Sequence, residues 1–297
     1  MNAKMISVDN VNSSFKEKYE AVLKGQRTLN KRYTLGKKIG EGGLSEVYAV
    51  TDMYSEYFED ERRLVIKMPS SEIADKKDVA AFVYSEYSLL SSLHHENIVQ
   101  AVDFGIDEES NIPYLIMQRL EGDLLMNVSL HKINSKMKQK LASSLFKGMV
   151  HMHKKHIVHA DINPTNIMMS PDGSAQIFDF GISQSVGTKK RFNLAYKKIN
   201  AYNPIYTAPE VFEGKPPSRK TDLFSLACVL YEVYTSKLPF EKSSQELEGK
   251  VLGRKELSKI PLIQRTWFKK ALSFDPNLRP DRIPSCIRFK SYLQSCS

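Results

Sequence analysis

Two different spacings of apolar and polar residues divide this chain near residue 120. Before that point, short stretches alternate apolar and polar residues, which is typical of strands with one buried face. After it, apolar residues recur every three or four positions over longer stretches, which is typical of helices with one buried side. A small sheet followed by a series of helices predicts an α+β fold in two lobes.

Five short strands and one long helix are predicted for the first part of the chain. The predicted strands are Tyr33–Ile39, Glu46–Val50, Leu64–Lys67, Ile98–Phe104 and Tyr114–Gln118. A polar, acidic insert, Met53–Arg63, precedes the third strand, and an amphipathic helix is predicted over Lys76–Leu93. Residues 1–32 are polar with a weak helical repeat, so we expect an appended helix or arm there.

Four helices are predicted for the second part of the chain. They cover Met137–Lys155, Thr221–Tyr234, Ile263–Ser273 and Ile283–Leu293. The second of these is apolar enough to lie at the centre of a domain. With 297 residues, the chain is long enough for one two-lobed domain or two small ones.

The composition indicates a folded protein in a reducing compartment. An apolar content of 41% with 26% charged residues is ordinary for globular domains and argues against wholesale disorder. Three cysteines do not make a disulfide framework. The sequence has no apolar run long enough to cross a bilayer, and its first residues lack the apolar core of a signal peptide. We therefore expect a soluble, cytoplasmic protein with no membrane partner.

The net charge of +9 raises the question of a polyanionic partner. The excess lies in two blocks, residues 1–32 and residues 180–210, and such basic blocks are most often solvated surface. No zinc-ligand spacing or aromatic RNA-binding motif accompanies them, so no nucleic-acid partner is expected. The second block favours an acidic protein substrate or partner, while the oligomeric state is left open.

Three oxygen-bearing side chains follow short apolar runs in the middle of the chain. The run from Ile157 to Ile167 contains Asp161, a proline turn and Asn166, and Asp179 ends the next apolar run. Carboxylate and amide oxygens suit Mg²⁺, which takes one or two protein ligands and substrate phosphates. A remaining carboxylate is free to accept a hydroxyl proton. Taken singly, each residue is more readily explained as an ordinary turn residue.

Together, these strings resemble the catalytic loop and metal-binding turn of eukaryotic-like (Hanks-type) serine/threonine protein kinases, including bacterial members. The resemblance covers about residues 33–293. It implies a two-lobed protein kinase-like fold, with a small β-rich N-lobe carrying one main helix and a larger helical C-lobe. The implied boundaries are an extension over 1–32 and a kinase domain over 33–297, divided into an N-lobe at 33–117, a hinge at 118–121 and a C-lobe at 122–297.

The resemblance also implies roles for individual residues. Asp161, Lys67 and Glu86 are the expected catalytic residues, and Asn166 and Asp179 are the expected ligands of Mg²⁺, with Mn²⁺ as an alternative. ATP is the expected phosphoryl donor. The residues expected to contact it are Ile39, Gly40, Glu41, Gly42, Gly43, Leu44, Ser45, Val47, Val65, Lys67, Met117, Gln118, Leu120 and Met168.

A later group of residues also resembles the family. The run Tyr206–Glu210 matches the end of an activation segment, and Asp222 and Arg279 match two structural positions, with Arg279 expected to pair with Glu210. By the same resemblance His159 packs against Phe180. This later group is not expected in small-molecule phosphotransferases, which share only the catalytic-loop string.

Three positions depart from the family pattern. Ala160 replaces an arginine that reads phosphate on the activation segment, so this chain is expected to act without phosphorylation of that segment. Asn163 stands in place of a lysine, and Asn203 in place of the threonine that contacts it; we hypothesise that these amides hydrogen bond to each other. Two other functions remain open: a pseudokinase scaffold and a small-molecule phosphotransferase. Delivery into another cell also remains open.

Overall fold

The computed structural model describes residues 28–71, 73–74, 78–185, 203–240 and 256–280. These residues form two compact units: the first contains described residues of 28–91 and 100–119, and the second contains 92–99 and the remainder. Most of the predicted N-terminal arm lies outside the described residues, as do the predicted helix Ile283–Leu293 and residues 186–202 of the second basic block.

The first unit is built on a six-stranded antiparallel sheet whose order is β1-β2-β3-β4-β6-β5. Its strands are β1 (Thr28–Leu29), β2 (Tyr33–Glu41), β3 (Ser45–Asp52), β4 (Leu64–Pro69), β5 (Ala101–Ile106) and β6 (Pro113–Gln118). The five predicted strands are therefore present as β2 to β6. The fifth strand of the sequence prediction, now β6, begins one residue earlier than expected, and β1 was not predicted.

Successive side chains along each strand of this sheet point to opposite faces. Leu64, Ile66 and Met68 of β4 belong to a hydrophobic core cluster together with residues of β1, β2 and β6. Val65 and Lys67 therefore point to the opposite face. The hydrophobic core cluster thus lies on one face of β4, and the buried ammonium of Lys67 lies on the other.

Two helices accompany the sheet. The insert predicted as polar forms a short helix, α1 (Met53–Tyr57), whose first turn is capped by the side chain of Asp52. Helix α2 (Val79–Leu90) is shorter than the predicted Lys76–Leu93. Leu93 is nonetheless fully buried, because the chain turns after the helix and enters the second unit.

The second unit is mainly helical. Its helices are α3 (Ser135–Lys154), α4 (Pro209–Phe212), α5 (Arg219–Thr235) and α6 (Leu262–Ala271), with 3₁₀ turns at Leu125–Asn127, Pro164–Asn166 and Pro276–Leu278. The central helix predicted from apolar residues is α5, and most of its residues are buried. It begins at a capping box formed by Ser218 and Thr221. No described helix has the length and apolar composition needed to cross a membrane.

Short strand pairs position the loops of the second unit. They are β7 (Asp123–Leu124), β8 (Ile157–Val158), β9 (Ile167–Met169), β10 (Ala175–Ile177) and β11 (Gln184–Ser185), in sheets ordered β10-β9-β7 and β11-β8. Ile98 was predicted to begin a strand of the first sheet, but it bridges Ile177 of β10 instead. Gly122 has a φ of +125°, and a Cβ there would lie 2.2 Å from the carbonyl oxygen of Met169.

Candidate active site

A buried ion pair lies on the sheet face opposite the hydrophobic core cluster of the first unit. The ammonium of Lys67, in β4, donates to both carboxylate oxygens of Glu86, in α2, at 2.7 and 2.8 Å. Both side chains are more than 90% buried. A buried charge needs a partner of opposite sign, and here each group supplies it to the other. The predicted pairing is present, and it fixes the position of the Lys67 ammonium.

Cross-strand pairing brings three predicted nucleotide-contact residues to the same face as Lys67. Val47 of β3 pairs directly with Lys67, and Val65 pairs with Met117 of β6. Paired residues on neighbouring strands share a face of the sheet, as do residues two apart on one strand. Val47, Val65 and Met117 therefore form an apolar surface beside the Lys67 ammonium. An apolar surface next to a positioned cation suits a flat base joined to phosphates.

The glycine-rich turn between β2 and β3 is open. Gly42 donates its N–H to the carbonyl of Ser45, which closes the turn at 2.8 Å. A Cβ built at Gly43 would meet no atom within 4 Å, and at Gly40 and Gly42 the contacts would be ordinary. The packing of this unit therefore does not require glycine at these positions. Missing side chains leave room for a phosphate to approach backbone N–H groups, which is the fit expected for ATP.

The carboxylate of Asp161 is held by two side-chain amides in the second unit. Nδ2 of Asn163 donates to Oδ1 at 2.9 Å, and Nδ2 of Asn166 donates to Oδ2 at 2.8 Å. Each carboxylate oxygen can accept two hydrogen bonds, so the pair of amides leaves further acceptor positions. Burial raises the pKa of Asp161, and the neighbouring Asp179 raises it further. A base held in this way can accept a proton from a hydroxyl group.

The hydrogen bonds of Asn166 fix which way its amide points. Its Nδ2 also donates to the backbone carbonyl of Asp161 at 2.9 Å, and a carbonyl can only accept. The atom facing Asp161 must therefore be nitrogen, and Oδ1 faces away from that carboxylate. An amide oxygen oriented in this way is a suitable ligand for Mg²⁺.

Strand pairing brings Asp179 close to this amide. Ile167 follows Asn166 and pairs with Ile177, two residues before Asp179. The N–H of Phe178 also donates to the carbonyl of Asn166 at 3.1 Å. Asp179 itself has a φ of +64°, a conformation that L-residues adopt at a cost of about 1–2 kcal/mol. Such strain at a predicted metal ligand is typical of a functional site.

The carboxylate of Asp222, in α5, anchors the loop that carries Asp161. It accepts the backbone N–H groups of His159 at 3.0 Å and Ala160 at 2.8 Å, and it contacts Nε2 of His153 at 2.8 Å. Ala160 has a φ of +71°, so these two N–H groups converge on one carboxylate. The side chain of Ala160 is buried and carries no charge.

Further contacts join this loop to the segment after Asp179. The ring of His159 packs edge-on against that of Phe180, with centroids 4.7 Å apart, as predicted. Nε2 of His159 also lies 3.2 Å from the carbonyl of Phe178, and the hydroxyl of Ser183 donates to the carbonyl of His159. The predicted catalytic loop and the predicted metal-binding turn therefore form one packed group within the second unit.

The predicted pair of Glu210 and Arg279 is present and fully buried. The guanidinium donates two hydrogen bonds to the Glu210 carboxylate, at 2.7 and 2.8 Å. Its three remaining N–H groups donate to the carbonyls of Ser273, Phe274 and Lys220. All five donors of the arginine thus have acceptors. This pair secures the Pro209–Phe212 helix and is structural.

The predicted hydrogen bond between Asn163 and Asn203 is absent, so that hypothesis was wrong. Oδ1 of Asn203 accepts the N–H of Ile205, two residues further on, and the Asn163 amide is used within its own loop. The sequence argument overlooked Thr165, whose N–H and hydroxyl both donate to Oδ1 of Asn163. An Asn-Pro-Thr run is a strong signal for such a local turn, and it was available in the sequence.

The predicted site residues fall into one group in each unit. The first unit holds Ile39, Gly40, Glu41, Gly42, Gly43, Leu44, Ser45, Val47, Val65, Lys67, Glu86, Met117 and Gln118. The second holds Leu120, Asp161, Asn166, Met168 and Asp179. Among the described residues, no cluster of three or more histidines, cysteines or carboxylates could hold a metal ion. Mg²⁺ needs only one or two protein ligands beside phosphates, so Asn166 and Asp179 fit it.

Comparison with known proteins agrees with this geometry. The sequence model of the protein kinase domain matches residues 33–288. The chain is 29% identical over 218 residues to a probable serine/threonine-protein kinase of Streptomyces coelicolor, covering 72% of this chain and 32% of that protein. It is 28% identical over 225 residues to the serine/threonine-protein kinase PrkC of Bacillus subtilis, covering 75% and 33%.

The chain therefore spans about a third of the length of the curated relatives it matches. The family match, by contrast, includes every predicted site residue and both buried ion pairs. It also agrees with the α+β class and with the helices and strands described above. This chain belongs to the protein kinase domain family.

Proposed function

We propose that this chain is a protein kinase that transfers the γ-phosphoryl group of ATP to serine or threonine hydroxyls of protein substrates. The observation that carries the proposal is the Asp161 carboxylate, held by two amides, with the oxygen of the Asn166 amide turned away from it and 3.4 Å from the Thr165 hydroxyl. This arrangement provides a base and a metal ligand on one short loop. The names of the relatives from Streptomyces and Bacillus support serine/threonine specificity.

The proposed reaction assigns a role to each group of residues. Lys67, held by Glu86, orients the α- and β-phosphates, and the Gly40–Val47 turn covers the phosphates with its backbone N–H groups. Asp161 accepts the hydroxyl proton and aligns the oxygen for in-line attack. Catalysis of this kind consists mainly of positioning and charge stabilisation.

Asn166 and Asp179 would hold Mg²⁺, or Mn²⁺ in its place. When bound, the ion neutralises charge on the phosphates during transfer. The chain's own contribution is the fixed amide orientation of Asn166 and the strained backbone of Asp179. Because the amide of Asn166 is already oriented, little reorganisation of that side chain would accompany metal binding.

We further propose that activity does not depend on phosphorylation of the activation segment. The catalytic loop is already anchored by Asp222 through two backbone N–H groups, and position 160 offers no cation to a phosphate. Replacing Ser183, Ser185, Thr188, Tyr196 and Tyr202 together by non-phosphorylatable residues should leave activity within about tenfold, or roughly 1.4 kcal/mol. Thr188, Tyr196 and Tyr202 lie outside the described residues. A larger loss in a folded variant would overturn this part of the proposal.

The second basic block suggests that the protein substrate is acidic near the acceptor hydroxyl, and the cysteine usage suggests action in a reducing, cytoplasmic setting. A peptide library with serine or threonine flanked by acidic, neutral or basic residues measures the first suggestion. A preference for basic flanks would contradict it.

The proposed activity is tested by incubating the purified chain with Mg²⁺ and γ-labelled ATP, followed by mapping of labelled residues. The wild type is compared with Asp161→Ala and Lys67→Ala. We expect label on serine and threonine in the wild type and a loss of label in both variants. Equal label in all three would contradict the proposal, and a wild type that binds ATP without transfer would support a pseudokinase. Label on small molecules alone would support a small-molecule phosphotransferase.

A further inference from the structure

The side chain of Asn163 lies between the proposed catalytic base and a threonine hydroxyl. Its Nδ2 donates to Oδ1 of Asp161 at 2.9 Å, while its Oδ1 accepts the backbone N–H of Thr165 at 2.8 Å. The hydroxyl of Thr165 donates to the same Asn163 oxygen. Asn163 is 1% exposed, so these contacts are made away from bulk water. A buried amide with both ends engaged has a fixed position.

The contacts also fix which end of the amide faces Asp161. A backbone N–H can only donate, so the Asn163 atom that accepts it from Thr165 must be oxygen. The nitrogen is therefore the end that faces the carboxylate. The nitrogen and oxygen of an amide are similar in size, but the backbone N–H of Thr165 determines which of them is which in Asn163.

We infer that Asn163 is a positioning residue for phosphoryl transfer, an inference that rests on the proposed function. Asn163 and Thr165 form a neutral clamp that holds Oδ1 of Asp161, while Asn166 holds Oδ2. The family usually has a lysine at position 163, which steadies the transferring phosphate. In this chain the residue at that position is neutral and orients the base instead.

A purely structural role for Asn163 is the main alternative, because the same side chain caps the 3₁₀ turn Pro164–Asn166. Capping uses only Oδ1, whereas the clamp also needs Nδ2. Asn163→Asp separates the two roles, because aspartate caps as well as asparagine and keeps the shape. It replaces the N–H donor with a second carboxylate facing Asp161. Asn163→Ala removes both the cap and the donor.

The two variants should therefore differ in activity per folded molecule. We expect kcat to fall about 100-fold in Asn163→Asp, the low end of what a positioned general base contributes, because repulsion displaces Asp161. Asn163→Ala should lose about tenfold, since the carboxylate is released but not repelled. The KM for ATP should change less than twofold in both. Because a second buried carboxylate beside Asp161 also costs stability, activity is expressed per folded molecule, with the folded fraction taken from the thermal unfolding curve of each variant.

Two controls complete the experiment. Asn134 caps α3 through its side-chain oxygen, which accepts the N–H of Met137, in the same way that Asn163 caps its turn. Asn134→Asp should therefore leave kcat and stability unchanged. Thr165→Val removes the hydroxyl of the clamp and should lower kcat several-fold. Thr165→Ser, which restores the hydroxyl, should recover most of that loss.

The inference is overturned if, per folded molecule, Asn163→Asp is at least as active as Asn163→Ala, or if both variants are as active as the wild type. It is supported if kcat per folded molecule falls from the wild type to Asn163→Ala to Asn163→Asp at a nearly constant KM, and Thr165→Ser recovers activity. A wild type that transfers no more phosphate than Asp161→Ala contradicts the proposed function, and the inference fails with it. An active wild type with an equally active Asn163→Asp contradicts the inference alone.

Discussion

Two buried ion pairs, one in each unit, use similar charges in different ways. Arg279 donates all five N–H groups, two to Glu210 and three to backbone carbonyls. Lys67 carries a compact ammonium that meets the two oxygens of Glu86, on the sheet face with the predicted nucleotide contacts. A rigid guanidinium fork suits a permanent contact, and an ammonium on a flexible stem suits a charge that also serves a ligand. The comparison supports a structural role for the Arg279–Glu210 pair and the proposed ligand-binding role for the Lys67–Glu86 pair.

The largest effect is expected from Arg279→Ala in the second unit. The substitution leaves the Glu210 carboxylate buried with the Thr221 hydroxyl but without its charged partner, which typically costs about 3–5 kcal/mol of unfolding free energy. Urea unfolding followed by circular dichroism measures the loss. Lys140→Ala is a matched control, because it removes an exposed ion pair with Asp172 and should cost at most about 1 kcal/mol. Equal losses in the two variants would show that the Arg279 pair is not structural.

The next largest effect is expected from the double variant Lys67→Met with Glu86→Gln. Replacing both partners of a buried pair by neutral groups of similar size is often nearly neutral for stability. We therefore expect an unfolding free energy within about 1 kcal/mol of wild type. The rate of transfer should fall about 100- to 1,000-fold, the cost of removing one positioned donor, or roughly 2.7–4 kcal/mol. If the double variant retained its activity, residues other than Lys67 would have to hold the phosphates.

Arg279→Lys should have a smaller effect that sharpens the comparison. Lysine keeps the charge but has three donors, so at least two of the five acceptors lose their hydrogen bond. We expect a loss of about 2 kcal/mol in unfolding free energy, because each unsatisfied buried group costs about 1–3 kcal/mol and part of the site can relax. Transfer activity per folded molecule should be unchanged. Full stability in Arg279→Lys would mean that charge alone matters in this pair.

The smallest expected effect is a dependence of stability on pH. It also distinguishes the two units. All seven histidines of the chain belong to the second unit by position. The rings of His95 and His151 lie 5.0 Å apart. Burial lowers the pKa of both; the charge of His151 lowers that of His95 further, and Lys155 lowers that of His151. These two histidines therefore bind protons more readily in the unfolded chain than in the folded one. The stability that their neutral forms allow is present above about pH 6.5 and is lost as the pH falls below it.

Urea unfolding at pH 7.5 and pH 5.5 measures this dependence. In His95→Gln with His151→Gln, the difference in unfolding free energy between the two pH values should shrink. His156→Gln, which changes an exposed histidine of the same unit, should leave the difference as it is in wild type. An unchanged difference in the double variant would assign the acid sensitivity to other groups.

The sequence predicted elements and motifs well where local pattern determines them. Alternating residues predicted β2 to β6, and the apolar run at 221–234 predicted the central helix α5, because burial on one or all sides leaves a clear spacing. The ends of elements were less predictable. Helix α2 stops at Leu90 although Leu93 continues its apolar stripe, since the chain must turn there to place Leu93 in the second unit.

The least predictable features are contacts that depend on side-chain direction. The Asn163–Asn203 hypothesis followed paired departures from a family pattern, and such pairing does not say where an amide points. The actual partners of Asn163 lie two residues away on either side and result from the local turn at Pro164. The convergence of two N–H groups on Asp222 likewise requires the positive φ of Ala160. Nothing in the residue type signals that conformation.

The geometry at Gly122 has a consequence for how sequence variants of this chain should be interpreted. Residue 122 is exposed, and its neighbours Glu121 and Asp123 are exposed as well. Judged by surface exposure alone, all three positions would be expected to tolerate substitution. Even alanine at 122 would collide with the backbone of Met169, beside the strand residue expected to face adenine, whereas its neighbours can vary. In deep mutational scanning, we expect substitutions at position 122 to impair the protein, and most substitutions at positions 121 and 123 to be tolerated.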